Sequence, residues 1–299
     1  MNFATLFGYD DCMKTSNDPS LPPLLPTHRR IGIIGGMGPA ATVDLMQKII
    51  AATPATRDQD HVPMVVWNVP QIPERVEHIH DATSPSPAPA MRAAAKALAE
   101  AGAEAIAIAC NTAHFWAADV EDASGLPLLH IADAALAALA HRPSHATAQP
   151  RRILLLATTG TREAGIYSQR AAIAGVALEL PDQPTQARIS QAIAAVKAGR
   201  IEAARATLFP VLTEALAGGV DALLLACTEL PIVVGGSKFE AQSVDATAAL
   251  AEAIVEFSLA ASIEAANDTS SRRPARPGTS NPSARTTQPR NHHLGDQVA

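Results

Sequence analysis

The sequence predicts an α/β protein built from two pseudo-symmetric parallel-sheet α/β subdomains, the product of an internal duplication, with an active site in the cleft between them. Three observations lead there. Short apolar runs alternate with longer Ala-rich stretches of helical spacing. The short runs are apolar at every position rather than at every second one, as in a parallel strand covered by helices on both faces. And one helix–strand unit is present twice.

The strand-like runs are residues 31–34, 62–69, 105–109, 153–156 and 222–226. Helical spacing marks residues 40–52, 88–101, 131–140, 185–198, 201–217 and 246–260. Aromatic residues are only 3% of the chain against 47% hydrophobic overall, so Ala and aliphatic side chains must fill the core. The duplication is legible at two places. Residues 101–111 read AGAEAIAIACN and residues 218–228 read GGVDALLLACT, 117 positions on. Residues 29–38 read RRIGIIGGMG and residues 151–160 read RRILLLATTG, 122 positions on. Two matches at nearly the same offset mark one α/β unit present twice, with small insertions.

Both ends read as tails. Residues 1–28 are rich in Pro, with Asp10 and Asp11 where an export signal would carry positive charge, and are expected to be disordered. Residues 266–299 are expected to be a disordered basic tail, with five Arg against Asp296 over 269–299. Between them, residues 29–137 with 240–265 are expected to form the first subdomain and residues 138–239 the second. The whole chain carries a formal charge of −6, which disfavours nucleic acid as a partner. No apolar run reaches the roughly 18 residues of a membrane span. Three Cys and no export signal point to a reducing, cytoplasmic setting.

Duplicated halves put equivalent strand ends in equivalent places, and open α/β sheets bind ligands beyond the carboxyl ends of their strands. Cys110 and Cys227 stand at those ends, so the duplication predicts two thiols on opposite walls of one pocket. Each precedes a helix start, with Asn111 and Thr112 after the first and Thr228, Glu229 and Pro231 after the second. Asn and Thr are good N-caps, and a helix N-terminus lowers a thiol pKa toward neutrality, where it can exchange protons. A pair of buried structural Cys and a transient disulfide are the alternatives. A metal is disfavoured, because Cys110 and His114 are four apart with no second such pair and no CxxC.

These residues carry a resemblance to the aspartate/glutamate racemase family, and within it to the cofactor-independent aspartate racemases. It rests on IGIIGGMGPAAT at 31–42, PQIPERV at 70–76, ACNTAH at 109–114, TTGT at 158–161 followed by Tyr167, VKAG at 196–199 and ACTELP at 226–231. The resemblance implies a two-base racemisation of an acidic amino acid, without pyridoxal phosphate, in a homodimer. Cys227 would deprotonate the L-isomer and Cys110 the D-isomer. Asn111, Thr112 and Ala113, with Thr228 opposite, would cradle the α-carboxylate. Thr161 and Met37, in the Gly36–Gly38 turn, would shape the floor. Arg75 and Lys197 match the two cations that hold the side-chain carboxylate. The tract TREAGIY lacks the Ser that many relatives carry before the Tyr.

Rival readings remain. A broad-specificity amino-acid racemase would share all of these motifs, and enzymes resembling maleate isomerase or arylmalonate decarboxylase would use one of the same Cys. A dinucleotide-binding dehydrogenase fits worse: Pro39 removes an N–H from the glycine turn, and Asn68–Val69–Pro70 offers no acid for a ribose.

Overall fold

The computed structural model describes residues 28–141 and 152–271, with side chains through residue 260. The expectations for residues 1–27 and 272–299 lie outside the described residues.

The first half runs β1 (Ile31–Gly35), α1 (Pro39–Ala52), β2 (Met64–Asn68), α2 (Arg75–His80), α3 (Ala88–Glu100), β3 (Ala105–Ile108), a 3-10 turn (Thr112–Trp116), α4 (Ala117–Ser124), β4 (Leu128–Leu129) and α5 (Ile131–His141). The second runs β5 (Ile153–Ala157), α6 (Thr159–Glu163), α7 (Ile166–Ala174), β6 (Leu178–Glu179), α8 (Gln183–Lys197), α9 (Ile201–Ala217), β7 (Ala222–Ala226), α10 (Leu230–Val234), β8 (Ser243–Asp245) and α11 (Ala246–Ser271). Two all-parallel sheets result, ordered β2-β1-β3-β4 and β6-β5-β7-β8. Ile31 sits in register with Met64 and Ala105, and Ile153 with Leu178 and Ala222. The order is the same in both sheets, as the duplication requires.

β1, β3, β5 and β7 are buried along their whole length, which is why their sequences do not alternate. Their residues are nonetheless shared out by the pleat. Ile31, Ile33, Ala105 and Ala107 join Ile153, Leu155, Ala222 and Leu224 in one core, which also takes in α5 and α11. Ile34, Ile106 and Ile108 face α3 and Trp116 on the outer side of the first sheet. Leu154, Leu156, Leu223 and Leu225 face α8 and α9 on the outer side of the second. The shared inner core fixes the two sheets against each other, and with them the ends of their strands. Burial of each Leu or Ile in that core contributes about 1.5–3 kcal/mol.

Local chemistry starts the helices where the strands stop. Gly36 follows β1 with φ +95°, and a Cβ there would lie 2.3 Å from the Val69 carbonyl carbon, so only glycine can turn at that point. Thr158 caps α6 by accepting from the Thr161 N–H at 3.1 Å, and Asp182 caps α8 by accepting from the Thr185 N–H at 2.9 Å.

Three boundaries differ from expectation. α5 continues to His141, so residues 138–141 remain with the first half. β8 pairs with β7, which places residues 243–245 in the second sheet although 240–265 was assigned to the first subdomain. α11 then packs on α1 and α5, and it runs through Ser271, so residues 266–271, expected in the tail, are helical. The edge strands β4, β6 and β8 are two or three residues long. That is too short for a run of apolar residues to mark them. Among the described residues, no helix is long and apolar enough to cross a membrane.

Candidate active site

Four strand ends meet at one cleft between the halves. Met37 follows β1, Cys110 follows β3, Thr158 follows β5 and Cys227 follows β7, and all four line it. The cleft holds about 280 Å³ of empty space, its open mouth included.

Cys110 and Cys227 are both unpaired thiols, 6% and 4% exposed. They lie close enough for a charge on Cys110 to oppose ionisation of Cys227. Burial pushes the Cys110 thiol up from its ordinary pKa, against the pull of the Arg75 charge and the Ala113 N–H. Burial also pushes Cys227 up, and further, with the Glu229 carboxylate adding to it. Both thiols are therefore protonated at neutral pH, contrary to the lowering expected from a helix N-terminus. The reason lies in the local structure. A 3-10 turn follows Cys110, and the five-residue α10 follows Cys227, so neither thiol faces the strong end of a long helix. Desolvation then dominates.

The expected caps are also absent, because the side chains have other partners. Asn111 Oδ1 accepts from the Tyr167 hydroxyl, which comes from α7 of the other half. Asn111 Nδ2 is buried without a partner in this cleft-lining residue, which leaves its amide donors free for a ligand. Thr228 Oγ1 donates to Glu229 Oε2 at 3.2 Å, and the Cys227 thiol donates to the same oxygen at 3.0 Å. Thr112 Oγ1 bonds Thr158 Oγ1 and Thr161 Oγ1, each at 2.9 Å, and so ties the first half to the second. Gly160 permits this approach, since a Cβ there would already sit 3.3 Å from Thr112 Cγ2 and Val76 Cα.

His114 is buried behind Cys110. Its Nε2 accepts the Ile131 N–H at 3.2 Å, so Nδ1 carries the proton and donates to the Cys110 carbonyl at 2.8 Å. Burial lowers its pKa to about 4. Both ring nitrogens are used in positioning the backbone, which leaves no lone pair for a metal shared with Cys110.

Two cations reach the cleft from opposite halves. Arg75, at the start of α2, is 7% exposed. Its Nη1 donates to the carbonyls of Ile72 at 3.3 Å and Pro73 at 3.0 Å. Its Nε is buried without a partner. Lys197, the last residue of α8, is 41% exposed and lies 3.8 Å from Glu74.

Of the residues singled out from sequence, Met37, Arg75, Cys110, Asn111, Thr112, Lys197, Cys227 and Thr228 line the cleft. Thr161 and Ala113 do not: Thr161 stands behind Thr112 and Thr158, and Ala113 contributes its N–H to Cys110. Sequence reasoning missed Glu74, Thr158, Tyr167 and Glu229 as members of the site. Glu74 and Glu229 stand beside marked residues, in PERV and ACTELP, but nothing in a sequence tells which way a carboxylate turns. Thr158 was within reach, because the 122-residue offset sets it opposite Gly36.

Residues 34–254 match the family model described as Asp/Glu/Hydantoin racemase. The chain is similar to the broad specificity amino-acid racemase RacX of Bacillus subtilis (strain 168), at 28% identity over 235 residues, covering 77% of this chain and 98% of that one. Its fold superposes on Picrophilus torridus aspartate racemase with a TM-score of 0.68 and 34% identity, covering 78% of this chain and 94% of the other. It shares its fold, at 14% identity and a TM-score of 0.55, with a glutamate racemase from Francisella tularensis, covering 84% and 85% of the two chains.

Proposed function

We propose, from the premise that this chain belongs to the Asp/Glu/hydantoin racemase family and is an enzyme of the racemase type, that it interconverts L- and D-aspartate by two-base proton transfer between Cys110 and Cys227. The observation that carries this reading is the pair of buried thiols at equivalent strand ends of one cleft. Inversion at a carbon needs a base on one face and an acid on the other, and duplicated halves supply matching groups from opposite walls.

In the L-to-D direction, the Cys227 sulfur must first lose its proton. Glu229 Oε2, already its hydrogen-bond acceptor, is placed to receive it. The thiolate then takes the α-proton of the L-isomer, and the electron pair left on the α-carbon takes the proton of the Cys110 thiol from the other face. Cys110 ends as thiolate and Cys227 as thiol, the arrangement from which the D-isomer reacts in reverse. A positioned acid or base of this kind contributes about 10²–10⁴-fold.

The carbanion's charge spreads into the α-carboxylate, which needs donors fixed in advance. The spare Nδ2 of Asn111, held in place by Tyr167, is the best-placed candidate, with Thr112 and Thr228 beside it. Arg75 and Lys197 fit a side-chain carboxylate, Arg75 with a buried Nε unspent. A cytoplasmic setting, which would keep both thiols reduced, and a homodimer belong to this reading.

A broad-specificity amino-acid racemase is the second reading. The similarity to RacX and the position of Glu74 between the two cations favour it.

The test is deuterium wash-in at the α-carbon. In D₂O the dialysed wild-type protein is expected to exchange the α-proton of both aspartate enantiomers and to racemise them. Cys227→Ala is expected to stop exchange from the L-isomer, Cys110→Ala from the D-isomer, and each to abolish racemisation. Near-normal turnover in either variant would sink the two-base scheme.

A further inference from the structure

Arg75 and Lys197 do not stand open in the cleft. Glu74, the residue before Arg75, reaches both: its Oε2 lies 3.5 Å from Arg75 Nη2 and its Oε1 lies 3.8 Å from Lys197 Nζ. Lys197 belongs to the second half and Glu74 to the first, so one carboxylate bridges the two walls where the resemblance assigns the substrate's own carboxylate. Glu74 lines the cleft, and its side chain is 43% exposed. Arg75, by contrast, is held by the carbonyls of Ile72 and Pro73 and cannot follow Glu74 if it moves.

We infer that Glu74 is a built-in competitor for the side-chain carboxylate site, a specificity-determining residue that weakens acidic ligands relative to neutral ones. The inference rests on the reading of Arg75 and Lys197 as the carboxylate-holding pair. Both contacts are longer than a charge-assisted hydrogen bond, and the Glu74 side chain that makes them is 43% exposed, so they are weak and can be displaced. An incoming side-chain carboxylate must displace Glu74 or share two cations with it, and either costs affinity. A neutral side chain makes no such demand. Glu74 therefore narrows the gap between acidic and neutral amino acids without touching the thiols. It would also give a cationic side chain a partner.

The experiment is calorimetric titration with succinate, a dicarboxylate with no amino group, and with L-alanine as the neutral control. Glu74→Gln is expected to bind succinate about threefold to tenfold more tightly than wild type, with L-alanine affinity unchanged. Glu74→Asp, which keeps the charge on a shorter arm, is expected to fall between the two. Arg75→Ala/Lys197→Ala is expected to lose succinate. Equal or weaker succinate binding by Glu74→Gln, with binding still lost in the double variant, would overturn the competitor role and leave the carboxylate site standing. Absence of succinate binding in wild type and Glu74→Gln alike would overturn both. Tighter binding in Glu74→Gln without any aspartate turnover would support the competitor role and sink the proposed reaction instead.

Discussion

The Cys227 thiol donates to Glu229 Oε2 at 3.0 Å, so the second sulfur of the cleft has a proton acceptor of its own, two residues further along the chain. Cys110 has no matching carboxylate; Asn111 and Thr112 follow it instead. The duplicated halves are thus equivalent in backbone and unequal in electrostatics. Burial raises both thiols, and Glu229 raises Cys227 beyond that.

This asymmetry gives a pH test. The Glu229 charge and its hydrogen bond from the thiol both hold the Cys227 proton in place, so their removal lowers the pH at which Cys227 ionises. In Glu229→Gln, the rising alkaline limb of kcat/KM for the L-isomer is expected to move toward acid. The limb measured from the D-isomer moves with it, because the enantiomers have equal free energy and a racemase must show the same kcat/KM for both at every pH. The plateau falls as well for both enantiomers, by up to about 10²-fold, since the acceptor of the Cys227 proton is gone. A racemisation profile that keeps the wild-type limb and plateau would remove Glu229 from the mechanism.

Substrate choice is expected to follow Arg75. A charge-assisted hydrogen bond to a carboxylate is worth about 1.5–3 kcal/mol. Arg75→Ala should therefore lower kcat/KM for aspartate by about 10- to 100-fold more than for alanine. Steady-state assays on the two amino acids decide it, and equal losses would strip Arg75 of this role.

Acid stability is expected to depend on His114. Its pKa is about 4 in the fold, against an ordinary 6.5, because burial disfavours the charged ring. The unfolded chain takes up that proton first as the pH falls. The contribution is therefore complete above about 6.5 and is lost progressively toward pH 4, amounting to ~3 kcal/mol. His130, packed edge-on against it at 4.5 Å and lowered to about 2, acts in the same direction. Denaturant unfolding between pH 7 and pH 4 should show a shallower loss in His114→Asn than in wild type, from a lower starting stability.

By itself the sequence determined the plan of two like parallel sheets covered by helices. Strands apolar at every position must be covered on both faces, and a unit repeated at offsets of 117 and 122 must fold twice in the same way. That reasoning placed Cys110 and Cys227 at equivalent strand ends, because which segments become strands is a property of local pattern and repetition. It left β8 unread and set a subdomain boundary inside α5, since three paired residues leave almost no pattern to read and helical spacing does not say which half a helix packs on.

Tertiary structure alone decided what each polar group at the cleft does. Asn111 and Thr228 look like helix caps in the sequence, and in the fold they meet Tyr167 and Glu229 instead. The thiols look activated and are in fact protonated, because desolvation depends on everything packed around a sulfur rather than on the next four residues. Glu74 carries no mark of its own in the sequence and stands between two cations drawn from opposite halves. A sequence records which groups are present and on which element. Which partner each one finds, and how much water is left to it, is set only when both sheets close on their common core.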